Sequence, residues 1–277
     1  MITIKDMSFK YSKADIFKEI SLQFEQGHIY GLLGENGVGK TTLLKIICGL
    51  QPPYSGRCEV DGIRSFDRPT EMLENMIFLP DTIHTTEGKT PLKHIRTLAP
   101  FYPKYDENQF IEFANQLNID VNMKFKSMSH GMQKKAIIAG ALSLNTDYML
   151  LDEPTNGLDI PSKVELRRIL AGFANEDRTI IISTHQVKDV ENLIDSVLIL
   201  TQQEVLMKAE ISEIGQKLTF VHSEHPLPEA IYTEQLPYGY MNVTENRNGD
   251  ESQINLETLF NAVTRSKEQI KQLFGRL

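Results

Sequence analysis

Apolar and polar residues alternate at the start of the chain. Ile2, Ile4 and Met7 to Phe9 mark a first strand, and Ile20, Leu22 and Phe24 a second. A period of two suits an antiparallel sheet with one wet face. The pattern then changes. Ile29–Leu33 is an unbroken apolar run that leads straight into a glycine-rich loop. Beyond the loop, TTLLKIICGL has helical spacing and stops at Gly49, just ahead of Pro52 and Pro53. A short strand is predicted at Met76–Leu79, and from Asp81 to about Asn145 amphipathic helices take over, as at Pro91–Leu98 and Asn108–Leu117. Apolar strands return at Tyr148–Leu151, Thr179–Ser183 and Ser196–Leu200. Helical stretches at Ser162–Ala174 and around Val187–Leu193 separate them.

This order predicts an α/β fold. Near-continuous apolar strands joined through helices imply a mainly parallel sheet covered on both faces. An antiparallel β subdomain precedes that sheet, and a helical subdomain at about 82–145 is inserted into it. Past Ile214 the signal weakens to strand-like pieces at Leu218–His222 and Gly239–Glu245, a polar turn NRNGDES and an amphipathic end at Leu256–Leu277. The expected organisation is a main domain over 1–212 and a small α+β extension over 213–277. The sequence shows no internal repeat, coiled-coil heptads or low-complexity tract.

Composition narrows the function. In 277 residues, 40% are hydrophobic and 24% charged, a globular mixture. A net charge of -8 argues against binding a nucleic-acid backbone, which calls for a basic field. Cys48 and Cys58 are too few for a disulfide framework and read as reduced, packed thiols. The start MITIKDMSFKYS lacks the apolar stretch of a signal peptide, and no window approaches the ~18 apolar residues of a membrane helix. The expectation is a cytoplasmic chain that reaches any membrane through a partner.

The chemistry begins at Gly34-Glu35-Asn36-Gly37-Val38-Gly39-Lys40-Thr41, which matches G-x-x-x-x-G-K-[ST] between a strand and a helix, the context that pattern requires. Its glycines let successive backbone N–H groups converge on a phosphate, and the following helix, entered through Thr42, adds a positive N-terminal end. Lys40 brings a charge to the β- and γ-phosphates, and the Thr41 hydroxyl can ligate Mg²⁺. Tyr148–Leu151 is an apolar strand that ends in Asp152 and Glu153. In a parallel sheet such an end faces the ligand crevice. Asp152 is placed to hold Mg²⁺, and Glu153 to polarise an attacking water. The strand Thr179–Ser183 delivers Thr184 and His185 by the same logic, which brings His185 within reach of a γ-phosphate.

These residues, in this order, resemble the nucleotide-binding subunit of an ABC transporter over about residues 1–212. The discriminating piece is Met128-Ser129-His130-Gly131-Met132-Gln133, similar to the family's LSGGQ signature with Met128, His130 and Met132 substituted. Ser129 alone reads as the cap of the helix that follows, whose N-terminus is also an anion site. The resemblance implies a P-loop ATPase that uses ATP and Mg²⁺. Two subunits, identical or related, pair head to tail, and Ser129, Gly131 and Gln133 of one meet ATP on the Gly34–Thr42 segment of the other. Tyr11 matches the residue that stacks on adenine, and simple packing explains a tyrosine there equally well. Gly157-Leu158-Asp159 resembles the loop that touches the opposing subunit, which brings Asp159 to the shared nucleotide, and His185 matches the switch histidine. Pro80-Asp81 stands where the family places a metal-sensing glutamine, and Asp81 can still reach metal or water through oxygen.

The partner implied is an integral-membrane permease, which would hold the chain at the inner face of the cell membrane. The signature variant, Asp81 and the short C-terminal extension are similar to exporter subunits for antimicrobial peptides or drugs, with an importer subunit or a soluble regulatory ATPase as alternatives.

Overall fold

The computed structural model describes every residue except Lys13, Asp250, Arg276 and Leu277. Strands β1 (Ile2–Tyr11) and β2 (Ala14–Phe24) precede β3 (Ile29–Leu33) and helix α1 (Lys40–Ile47). β4 (Ser55–Val60), β5 (Ile63–Arg64) and the short α2 (Thr70–Glu74) lead to β6 (Met76–Leu79). Three helices follow: α3 (Pro91–Leu98), α4 (Glu107–Gln116) and α5 (His130–Ser143). Then come β7 (Tyr148–Asp152), α6 (Ile160–Phe173), β8 (Thr179–Thr184), β9 (Ser196–Thr201) and β10 (Glu204–Glu210). The remainder comprises α7 (Ile211–Lys217), β11 (Leu218–Ser223), β12 (Tyr232–Gln235), β13 (Tyr240–Glu245), α8 (Leu256–Arg265) and α9 (Lys267–Phe274).

Three sheets result, in the orders β2-β1-β4-β5, β10-β9-β3-β8-β7-β6 and β11-β13-β12. The first and third are antiparallel. The central sheet is parallel from β9 through β6, and β10 joins its edge antiparallel. Its strands alternate between two apolar cores. Tyr30, Leu32, Leu150 and Ile181 turn toward α1 and the first sheet. Leu33, Met149, Leu151 and Ile182 turn toward the helices of the insert and the C-terminal segment. Burial on both faces is why these strands read as unbroken apolar runs, each large side chain contributing roughly 1.5–3 kcal/mol of transfer free energy. The register pairs Leu33 with Thr184 and Asp152 with Ser183. The C-terminal ends of β3, β8 and β7 therefore lie side by side, and the loops that leave them share one edge.

Local signals place the helices. Thr90 caps α3 ahead of Pro91, and Asp106 caps α4 by accepting from Asn108 and Gln109 N–H at 2.8 and 3.2 Å. Gly49 ends α1 at φ 69°, where a Cβ would meet the Ser65 carbonyl at 2.0 Å.

The structure departs from the sequence reading in a few places. Val187–Leu193 is not a helix. Val187–Asp189 form one 3₁₀ turn, and the bonds from Val190 to Val187 and from Leu193 to Val190 are tight i→i+3 turns in the short span before β9. The amphipathic end divides at Ser266, whose backbone (φ −118°, ψ 42°) leaves the helical region while its hydroxyl donates to the Ile231 carbonyl at 2.9 Å. Leu277 at the end of that stretch and Asp250 in the polar turn lie outside the described residues. β4, β5, β10, α7 and β12 carry no strong apolar period and were not expected.

Candidate active site

The loop between β3 and α1 curls around the Lys40 side chain, which is 6% exposed. Its ammonium donates to the Gly34 carbonyl at 2.7 Å and the Glu35 carbonyl at 3.0 Å. Burial holds that ammonium below the ordinary lysine range, while the nearby Glu153 and Asp152 carboxylates act the other way. The curl requires glycine at Gly39, which takes φ 115° with a would-be Cβ 2.7 Å from the Ile16 and Phe17 side chains. Val38 is buried and anchors the loop, whereas Glu35, Asn36 and Gly37 lie on the surface. Thr42, on the first turn of α1, donates to the Tyr11 hydroxyl at 3.4 Å. Tyr11 remains 44% exposed and packs at nearly a right angle to the Phe9 ring.

Thr41 donates to Asp152 Oδ2 at 2.7 Å, and the Ser183 hydroxyl donates to Oδ1 of the same carboxylate. Asp152 is 4% exposed. A hydroxyl and a carboxylate in contact at the foot of a phosphate loop are the hard oxygen donors that suit Mg²⁺, which takes one or two protein oxygens together with phosphate and water.

Glu153 follows with its backbone in the left-handed region, φ 48°. Such a conformation costs a non-glycine residue on the order of 1–3 kcal/mol and persists only where its surroundings enforce it. Here several groups do. Oε1 accepts the His185 backbone N–H at 3.0 Å and lies 2.8 Å from His185 Nδ1, and Oε2 accepts from the Thr184 hydroxyl at 3.2 Å. The Glu153 N–H donates to the Ser183 carbonyl at 3.0 Å. Glu153 as a whole is 9% exposed. Gly34, Asn36 and His185 line one cavity of about 640 Å³, whose far wall is Glu257, Phe260 and Asn261 of α8.

The remaining candidates lie apart from this group. Ser129 caps α5, its hydroxyl accepting from Met132 N–H at 3.2 Å. Among the described residues no hydrogen bond joins Ser129, Gly131 or Gln133 to the Gly34–Thr42 segment. Gln133 turns inward, its amide nitrogen donating to the Phe125 and Met128 carbonyls of the preceding turn and its oxygen accepting from Thr85 in the loop after β6. Gly131 faces the Gly157 carbonyl, 3.2 Å from a would-be Cβ. Asp159 caps α6 through Ser162, and those bonds hold its carboxyl below the usual range. Asp81 accepts from Lys134 and Asn156, each at 3.2 Å, rather than meeting Thr41 or Asp152. Sequence reasoning placed Ser183 and Thr184 at the strand end without a role, and missed Asn156 and Lys134. For the first two a signal existed, since they are polar residues closing an otherwise apolar parallel strand.

A strand–loop–helix cradle beside a strand that ends in two carboxylates defines a P-loop nucleoside triphosphatase. The ABC transporter family pattern matches residues 17–156, and the chain belongs to that family as an ATP-binding subunit with ATPase activity. The ABC transporter ATP-binding protein NatA of Bacillus subtilis (strain 168) is 30% identical over 224 residues, covering 77% of this chain and 91% of NatA. The lantibiotic transport ATP-binding protein SrtF of Streptococcus pyogenes is 30% identical over 213 residues, covering 76% of this chain and 91% of SrtF. The dimeric post-hydrolysis state of the ATP-binding cassette MJ0796 bound to ADP and Pi shares the fold, with a TM-score of 0.68 at 23% identity over 76% of this chain and 99% of that one. Among the described residues no helix is long and apolar enough to cross a membrane.

Proposed function

We propose that the chain powers export of peptides or drugs through an integral-membrane permease, as one of two ATPase subunits at the inner face of the membrane. The observation that carries the chemistry is Glu153, a carboxylate locked by His185 and Thr184 beside the phosphate loop. A water attacks the γ-phosphorus, Glu153 accepts its proton, the bond to the β–γ bridging oxygen breaks, and ADP and phosphate result. Lys40 meets charge on the β- and γ-phosphates, and the exposed Tyr11 ring stacks on adenine. Thr41 and Asp152 would hold Mg²⁺, which when bound neutralises charge on the phosphate oxygens. His185 orients Glu153 and reaches toward the γ-phosphate.

The two-subunit reading rests on the separation of Ser129 and Gly131 from the phosphate loop of their own chain, together with a dimeric solved relative of this fold. Each would then serve ATP on the opposite subunit, with Asp159 at the shared boundary. Residues 1–212 form the ATPase unit in this reading, with 82–145 as its helical insert and 213–277 as its extension.

For the permease the molecule offers a groove of about 500 Å³ walled by Leu73, Ile77, Phe78, Leu98 and Phe101, with Phe101 68% exposed. Export rests on the lantibiotic transport relative and the signature variant. The test uses inside-out vesicles from cells that carry the chain and its permease. ATP-dependent accumulation of a labelled cationic peptide supports export. ATP-dependent uptake by intact cells, with none into the vesicles, would reverse the direction.

A further inference from the structure

Lys134 lies in the first turns of α5, on the inserted helices, yet its ammonium reaches the loop that follows β7. It is 8% exposed. Its Nζ donates to the Glu153 carbonyl at 2.6 Å, the Asn156 carbonyl at 3.1 Å and Asp81 Oδ1 at 3.2 Å. An ammonium has three protons and no acceptor, so this one is fully satisfied. Asn156 closes the arrangement. Its backbone N–H also meets the Glu153 carbonyl, at 3.1 Å, and its side-chain amide donates to Asp81. A buried ammonium held this completely is costly to displace, because withdrawing it from these three acceptors leaves a buried charge without partners.

Glu153 is thus held at two ends. His185 and Thr184 fix its carboxylate, and Lys134 with Asn156 fixes its carbonyl. Between those ends lies the left-handed φ of 48°. We propose that Lys134, with Asp81 as its counter-charge, is a positioning residue for ATP hydrolysis that ties the seating of α5 to the orientation of the Glu153 carboxylate. α5 begins at the segment assigned above to the second subunit's nucleotide. Docking of a partner there would reach Glu153 through this one side chain. The inference rests on the reading of Glu153 as the base. It also gives Asp81 a role distinct from metal binding.

The test compares Lys134→Met with wild type in the full chain, alone and in a Glu153→Gln background, by steady-state and single-turnover hydrolysis. Affinity is read with a non-hydrolysable ATP analogue and Mg²⁺. The expected result is a fall in kcat of tenfold or more with analogue affinity within twofold. In the Glu153→Gln background the same change should move the residual rate by less than twofold, because the effect passes through Glu153. A kcat within twofold of wild type overturns the proposal. So does a tenfold loss that persists in the Glu153→Gln background, or a parallel loss of affinity. Lys134→Gln, which keeps a donor but loses charge and reach, is read against the same limits should the methionine variant not fold. Full activity in Glu153→Gln alone would instead remove Glu153 as the base, an outcome separate from anything Lys134→Met does.

Discussion

Glu153 and His185 meet twice at a single atom. Oε1 of the carboxylate accepts the histidine backbone N–H at 3.0 Å and stands 2.8 Å from the ring Nδ1. Among the described residues Oε2 has only the longer bond from the Thr184 hydroxyl, at 3.2 Å. The two oxygens are therefore unequal, and Oε2 is the one more available to a water.

Glu153→Gln keeps the shape and removes the proton acceptor. Turnover should fall by roughly 10² to 10⁴, the usual worth of a general base, while ATP binding persists. Single-turnover hydrolysis checks this, and a rate within twofold of wild type would take Glu153 out of the mechanism.

Lys40→Ala removes the ammonium now held by the Gly34 and Glu35 carbonyls. Charge-assisted hydrogen bonds to phosphate contribute about 1.5–3 kcal/mol, so Mg·ATP affinity should drop tenfold or more. Calorimetric titration of the folded variant decides it, and unchanged affinity would end the phosphate-cradle assignment.

Ser129→Arg should behave differently. In the proposed arrangement the loop of the same chain would hold the nucleotide without Ser129, so affinity in the isolated chain should stay within twofold while cooperative hydrolysis is lost. In homodimers, mixing Ser129→Arg with Lys40→Ala protein places both defects in one site and leaves the other intact. Some activity should return. Equal loss of ATP affinity in the two single variants would show one monomeric pocket instead.

The cysteines provide a control on packing. Burial pushes the Cys48 and Cys58 thiols up to about 11. With thiolate as the reactive form, only about one in a thousand is ionised at pH 8. The native protein should therefore resist iodoacetamide at pH 8, react faster as pH rises toward 11, and react fully at both positions once unfolded. Rapid labelling of the native state at pH 8 would contradict the packing around α1 and β4.

Much of the site was legible because parallel strands buried on both faces announce themselves as apolar runs, and their polar ends mark the ligand edge. Asp152, Glu153 and His185 follow directly from that rule, Lys40 and Thr41 from the glycine-rich loop pattern, and the structure brings them together. Lys134 and Asn156 did not, since their approach to Glu153 depends on how the inserted helices dock against the sheet. Nothing within a few positions of either residue encodes that contact. β4 and β10 escaped for a related reason. They pair at or near sheet edges, where one face is wet and the apolar period is weak.

Glu153 occupies a turn that glycine or asparagine would accept more readily, and neither can take a proton from water. Drift toward greater stability at this position therefore runs against chemistry. A duplicated copy relieved of hydrolysis would be expected to lose the glutamate early, and with it a backbone strain on the order of 1–3 kcal/mol. Such a copy could still bind ATP through its loop and lend its α5 N-terminus to an active partner. Asymmetric pairs of subunits, one working and one silent, are thus a short step from this fold.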